Sequence, residues 1–98
     1  MAIKRIVILE RVENNIFKFA NYISKQGYPD RAFSFVSEIY NFINTLNVSA
    51  ESFSICRHSQ IAKNKYKCIP YKKNYIIIFS VTNDFVTIHN IVPAKKIR

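Results

Sequence analysis

The first half of the chain shows one strand-like segment followed by two helical stripes. Residues 3–9 are mostly apolar and β-branched, which predicts a first strand. Apolar residues then recur at steps of three and four, first at Ile16, Phe19, Ala20 and Ile23, and again at Ala32, Val36, Ile39, Tyr40, Ile43 and Leu46. Gly27 and Pro29 separate the stripes, and these residue types favour a helix end and a helix start. The pattern predicts a helical hairpin.

The second half is predicted to contain three strands after a long loop. Residues 47–65 lack periodic apolar positions and are predicted as a loop, with a short helical turn at 49–53 as an option. Strands are predicted over residues 66–71, 75–81 and 85–92, joined by polar turns and ended by Pro93. The order β-α-α-β-β-β predicts one α+β domain over residues 1–98. A helical hairpin would pack on one face of a small, mostly antiparallel sheet.

The predicted strand 75–81 is apolar on both of its faces. One face carries Tyr75, Ile77, Phe79 and Val81, and the other carries Ile76, Ile78 and Ser80. Two helices can cover only one face of the sheet. The other face is then either covered by residues 47–65 or left for a second copy or a partner chain.

The net charge of +9 lies almost entirely in the second half. Residues 57–98 contain one acidic residue, Asp84, and nine basic ones: Arg57, Lys63, Lys65, Lys67, Lys72, Lys73, Lys95, Lys96 and Arg98. Such a charge distribution attracts nucleic acid, a ribosome surface or an acidic protein, although it could also be only a solvated surface. We expect contacts with such a partner at Arg57, Lys65, Lys67, Lys95, Lys96 and Arg98.

Several classes of chemistry have no motif in this sequence. There is no phosphate-binding or dinucleotide-binding glycine motif and no cysteine–histidine cluster with zinc spacing, so we expect no cofactor and no metal. Apolar runs of four or five residues are too short for a membrane span, so a cytoplasmic protein is expected. Cys56 and Cys68 are then expected to be reduced thiols. The side chains left as candidates for catalysis are lysine, arginine, tyrosine and the histidines His58 and His89. These residue types suit reactions of phosphodiesters.

The tyrosines near lysines in the second half have two interpretations. Tyr66, Tyr71 and Tyr75 could stack on bases or pack within the sheet. The sequence leaves both interpretations open.

Three stretches carry a resemblance to a known family. Residues 74–92 form a tyrosine-led aliphatic strand, a polar turn and a closing apolar strand. Residues 21–23 and 29–32 are similar to that family's helical hairpin, and Lys95 and Lys96 form a basic pair after the last strand. Together they resemble toxins of the RelE/ParE superfamily, the small basic partners in bacterial type II toxin–antitoxin pairs.

The resemblance covers about residues 3–96 and implies one of two activities. RelE-like members are ribosome-dependent mRNA endonucleases with a cluster of cations. Lys67 and Lys96 match two positions of that cluster, whereas Ile69 and Ile76 stand at two others. Lys65, His58 and His89 would be the remaining candidates for catalysis.

The ParE-like members poison DNA gyrase, and the aliphatic strand at residues 75–79 is more similar to theirs. We therefore expect a ParE-like toxin that is not an enzyme. The alternatives are a RelE-like nuclease acting on the ribosome and mRNA, and a plain basic nucleic-acid-binding module.

The resemblance also implies a protein partner. A cognate antitoxin would hold the toxin inactive, and we expect its contacts at Tyr75, Ile76 and Ile78. A homodimer and a toxin–antitoxin hetero-oligomer both remain open.

Overall fold

The order of helices and strands follows the prediction. The computed structural model describes residues 3–50 and 66–94. Within them the elements are β1 (Arg5–Ile8), α1 (Glu10–Lys25), α2 (Pro29–Ser49), β2 (Lys67–Tyr71), β3 (Tyr75–Val81) and β4 (Phe85–Pro93). The predicted α+β order β-α-α-β-β-β is therefore confirmed.

The four strands form one mixed sheet in the order β1-β4-β3-β2. β2, β3 and β4 are antiparallel neighbours joined by short turns, whereas β1 pairs with β4 in parallel. A parallel neighbour cannot be joined by a tight turn. The helical hairpin carries the chain away from β1, and the later strands bring β4 back alongside it.

The turn between the helices has the backbone geometry that the sequence predicted. Gly27 has a φ of 93°, in the left-handed region that glycine tolerates. Its amide donates a hydrogen bond of 3.0 Å to the carbonyl of Ser24, and Pro29 occupies the first turn of α2. The second helix can therefore fold back against the first.

The second helix is longer than predicted. It continues to Ser49, so the prediction of a loop is wrong at residues 47 and 48, whereas the optional helical turn agrees with the structure at residues 49 and 50. Leu46 and Ala50 are four positions apart and both fully buried, which extends the apolar stripe by one more turn. The predictions for residues 51–65 lie outside the described residues.

The core lies between the helical hairpin and one face of the sheet. Phe79 on β3 is its largest fully buried side chain, and it is joined there by Val12, Ile16, Ile39, Ile43, Leu46, Ile77, Val86, Ile88 and Ile91. Two tyrosines also belong to this layer. Tyr71 lies 5.1 Å from Phe42, and Tyr75 lies 5.0 Å from Phe19, measured between ring centroids. Packing, rather than base stacking, is therefore the role of these two rings.

The turn between β2 and β3 places two lysines in an unfavourable backbone conformation. Lys72 and Lys73 have φ values of 51° and 67°, where side chains with a Cβ are strained. Lys72 forms an ion pair with Glu38 on α2. Lys73 forms no hydrogen bond or ion pair with a described residue.

The turn between β3 and β4 is held from both sides. The Thr82 amide donates to the Phe85 carbonyl at 2.9 Å, and the Phe85 amide donates to the Thr82 hydroxyl at 3.1 Å. Lys4 Nζ donates to the carbonyls of Thr82 and Asn83 at 2.7 and 2.9 Å. The turn is therefore attached to the segment that precedes β1.

The expectation of two reduced thiols is wrong in this structure, because Cys68 is disulfide-bonded. Cys68 lies opposite Ile78 on β2, and the chain's other cysteine, Cys56, is outside the described residues. The expectation came from the cellular compartment alone, which carries no information on distances between side chains. No helix in the described parts of the chain has the length and apolar character needed to cross a membrane.

Phe79 gives a direct test of the core. Phe79→Ala should reduce the free energy of unfolding by about 3–5 kcal/mol, because it leaves a cavity under both helices. Urea unfolding followed by circular dichroism measures this loss. Phe33→Ala is the control, since Phe33 is 77% exposed and its loss should change stability by less than about 0.5 kcal/mol. Equal effects of the two substitutions would contradict this placement of the core.

Lys73 gives a test of turn strain. Lys73→Gly should raise the free energy of unfolding by about 0.5–1 kcal/mol, because glycine adopts the left-handed conformation without a steric penalty. Lys73→Ala keeps the Cβ and should give no such gain. Thermal unfolding of both variants measures the difference, and a gain from alanine as large as that from glycine would show that strain is not the cause.

Candidate functional site

The sheet has a face that the helices do not cover. On β3 and its neighbours, residues alternate between the core and the opposite side. We call this opposite side the outer face, and it carries Val7, Cys68, Ile76, Ile78, Ser80 and Thr87. Ile78 is only 7% exposed, whereas Ile76 is half-buried. The outer face is thus mainly apolar around Ile76 and Ile78 and polar around Ser80.

His89 faces this polar part from a bulge in β4. Phe79 pairs with Ile88 and Ile78 pairs with Asn90, so His89 is an extra residue between two normal pairs. Since Ile88 faces the core, the ordinary alternation along the strand places His89 on the outer side. The His89 Nε2 atom lies 2.7 Å from the Ser80 Oγ atom, and the Tyr66 ring stacks on the imidazole at 4.3 Å. Ser80, His89 and Tyr66 therefore form one cluster on the outer face.

The environment of His89 favours the neutral imidazole. Burial lowers its pKa below the usual value, and the positive charge of Arg11 lowers the pKa further. A neutral ring can accept the Ser80 hydroxyl proton in a hydrogen bond or donate its own proton to Ser80. The pair combines a hydroxyl with a potential base, but no carboxylate among the described residues hydrogen-bonds to the ring.

Two asparagines close the free edge of β4 beside this cluster. β1 ends at Ile8, opposite Ile88, so the following residues of β4 have no strand neighbour on that side within residues 3–50 and 66–94. Asn15 Nδ2 on α1 donates to Asn90 Oδ1 at 2.9 Å and to the Ile91 carbonyl at 3.3 Å. Asn90 Oδ1 also accepts the Ile91 amide at 2.9 Å. These side chains take over the hydrogen bonds that a neighbouring strand would make.

Lys67 lies on the other side of the sheet from His89. It pairs with Phe79 on β3, and its Nζ atom donates to the carbonyl of Ala50 at the C-terminal end of α2 at 3.3 Å. A cation at this position is favoured by the helix dipole and the unpaired carbonyls of the last turn. The structure therefore does not bring Lys67 and His89 together.

The remaining predicted contact residues divide into two groups. Tyr75 packs between Phe19 and Phe35 on the helix side, and burial raises its pKa. It does not share a face with Ile76 and Ile78. The others lie outside the described residues: Arg57, His58, Lys65, Lys95, Lys96 and Arg98.

The sequence analysis missed Ser80 and Asn15 as partners of the last strand. Ser80 pairs with Thr87, and His89 lies two residues further along β4 on the same face, so the two side chains are diagonal neighbours across the hairpin. The bulge that follows changes the pairing of Asn90 and Ile91, and no turn or glycine signal in the sequence predicts it. For metals, residues 3–50 and 66–94 contain no group of three or more His, Cys, Asp or Glu side chains placed to hold an ion.

Comparison with known proteins does not assign the chain to a family, since no family model and no curated protein matches it.

The His89 environment predicts how stability depends on pH. Because the pKa of His89 is lower in the folded protein than in the unfolded chain, the unfolded chain takes up the proton first as pH falls. Neutral His89 makes its full contribution to the free energy of unfolding above about pH 6.5. This contribution is lost as the pH falls towards the pKa of His89 in the folded protein. Urea unfolding at about pH 7.5 and about pH 5.5 should show this loss in the native protein.

The variant His89→Asn should show a smaller loss over the same interval, because asparagine does not titrate. Ser80→Ala is the control that keeps the histidine, and it should retain an acid-dependent loss. An identical pH dependence of the native protein and His89→Asn would exclude His89 as the source.

Proposed function

We propose that this chain is a ParE-like toxin of a type II toxin–antitoxin pair, which inhibits growth by poisoning DNA gyrase. The β-α-α-β-β-β order agrees with the superfamily that the sequence resembles. The observation that carries the choice of branch is the position of Lys67, whose Nζ atom is bonded to the end of α2 on the helix side of the sheet.

A nuclease site requires cations and a proton-transfer group that converge on one phosphate. Among the described residues, Lys67 and His89 lie on opposite faces of the sheet. Ile69 and Ile76 occupy two positions where the RelE-like pattern has cations, and Ile69 packs against the core. These features support a toxin that acts by binding. The RelE-like nuclease and a plain basic nucleic-acid-binding module are the alternatives.

The proposal includes a cognate antitoxin as partner. On the outer face, the partly exposed Ile76 is the apolar residue available for contact, whereas Ile78 is buried and would have to be uncovered before the antitoxin could contact it. The net charge of +9 would attract an acidic tail, so charge would speed association and apolar burial would provide affinity. The complex would be a toxin–antitoxin hetero-oligomer, with a toxin homodimer as the other form.

The proposed location is the cytoplasm, where thiols are kept reduced. The fold must then persist with Cys68 as a thiol. This is consistent with the position of Cys68, which is not part of the core cluster under the helices.

Induced expression in bacteria tests the proposed target. Gyrase poisoning should give filamentous cells and a DNA-damage response, and the purified protein should inhibit supercoiling by gyrase. Lys67→Ala should remain toxic, because Lys67 contacts the α2 end, and Lys18→Ala is a matched exposed lysine control. Both variants should be compared at equal expression level.

Two outcomes would contradict the proposal. Rapid translation arrest with cleaved message, abolished by Lys67→Ala alone, would identify the RelE-like nuclease. Absence of toxicity together with absence of a complex with the product of the neighbouring gene would leave the nucleic-acid-binding module.

A further inference from the structure

A cleft lies where the turn between the helices meets the turn between β2 and β3. It consists of two adjoining hollows of about 400 and 590 Å³ that share Tyr22, Asn74 and Tyr75. These volumes are in the range of small-molecule sites. We call this feature the turn-end cleft, and its other polar and aromatic wall residues are Phe19, Gln26, Tyr28, Arg31, Phe35, Lys72 and Lys73.

Two aromatic rings of this cleft are exposed. Tyr22 is 66% exposed and Tyr28 is 49% exposed, and neither belongs to the core cluster. The guanidinium carbon of Arg31 lies 4.6 Å from the centre of the Tyr28 ring, so a cation already stacks on one of these rings. Tyr22 thus offers an exposed ring, and Tyr28 offers the ring face that Arg31 does not cover.

The charged groups of the two hollows are all positive. Arg31 and Lys72 line the first hollow and Lys73 lines the second. Asp30 and Glu38 line a third hollow, which shares Arg31, Phe35, Lys72 and Asn74 with the first, and Glu38 is paired with Lys72. The cleft therefore presents aromatic rings beside Arg31 and Lys73, while Glu38 compensates the charge of Lys72.

The backbone of the lysine turn is a second, independent observation. Lys72 and Lys73 both occupy the left-handed region, where glycine or asparagine would be less strained. Strained positions of this kind are concentrated at binding and catalytic sites, because the surrounding structure must hold them against their preference. Here the hairpin turn holds two lysines at the edge of the cleft despite this strain.

We propose that the turn-end cleft binds single-stranded nucleic acid. One base stacks on Tyr22 and another on Tyr28, and the adjoining phosphates contact Lys73 and Arg31. Exposed aromatic rings next to cations are the combination that single-strand-binding surfaces use, because every base has a flat face and every linkage a negative charge. A duplex keeps its bases stacked inside and would leave the tyrosines without a partner. This inference does not depend on the proposed toxin activity, since its stacking residues and cations lie on the helix ends and the lysine turn.

The experiment measures binding of the full chain to fluorescently labelled oligothymidylate and oligouridylate of about twelve nucleotides, by fluorescence anisotropy. Tyr22→Ala and Tyr28→Ala should each weaken binding by about tenfold, which is the range for loss of one stacked base. Phe33→Ala is the matched control, because Phe33 is an exposed aromatic residue on α2 that does not line the cleft. It should leave the affinity unchanged.

Salt dependence tests the role of the lysine turn. Lys73→Ala should reduce the slope of log affinity against log salt by about 0.7, the value for one phosphate contact on a single strand. Lys18→Ala removes one exposed lysine outside the cleft and should reduce the slope less. Circular dichroism and thermal unfolding of each variant confirm that the fold is kept.

Four results would overturn the inference. The first is no binding at physiological salt, and the second is equal affinity losses for Lys73→Ala and Lys18→Ala with no effect of the tyrosine variants. The third is equally tight binding of a duplex of the same length. The fourth is displacement of the oligonucleotide by polyglutamate as readily as by unlabelled oligonucleotide, which would point to an acidic peptide instead. The assay uses purified protein only, so its failure is separate from the result of the toxicity experiment.

Discussion

The burial of β3 beneath the helical hairpin is the constraint on which the rest of this structure depends. Phe79 is fully buried among residues of both helices and β4, and it is the largest such side chain in the described chain. Because side chains alternate along a strand, a shift by one residue would move Phe79 to the outer face. Its burial therefore determines the register of β3, and with it the face on which each residue of β2 and β4 lies.

The bulge at His89 is the local exception to regular pairing, and it lies beside the polar cluster on the outer face. In a regular ladder Asn90 would pair with Ile77 on the core face, whereas the extra residue places Ile91 there. The imidazole lies 2.7 Å from the Ser80 hydroxyl and stacks on the Tyr66 ring. The same end of β4 extends beyond β1, and Asn15 and Asn90 supply hydrogen bonds there.

The described lysines are used in different ways, although composition alone suggests a single basic surface. Lys4 bonds to carbonyls of the β3–β4 turn, Lys67 bonds to the end of α2, and Lys72 pairs with Glu38. Each is engaged by the fold at a different place. Lys73 lies at the edge of the turn-end cleft, in a turn where its backbone is strained. Net charge thus predicts an anionic partner, while the contacts decide which cations can reach it.

The sequence by itself determined the order of the elements, because apolar periodicity, Gly27 and Pro29 are local signals that each element carries within itself. It also predicted the mostly antiparallel sheet and the burial of one face of β3. Tertiary structure alone decided which polar side chains meet. Lys67 and His89 were joined as candidates by residue type, but the strand register places them on opposite faces.

Long-range packing also determines four other features: the bulge, the disulfide bond of Cys68, the last turn of α2 and the cleft between two distant turns. Each of them is set by residues that are far apart in the chain. A pattern read over a few neighbouring positions contains no information about such contacts, and this is the physical reason why the fold could be predicted and the site could not.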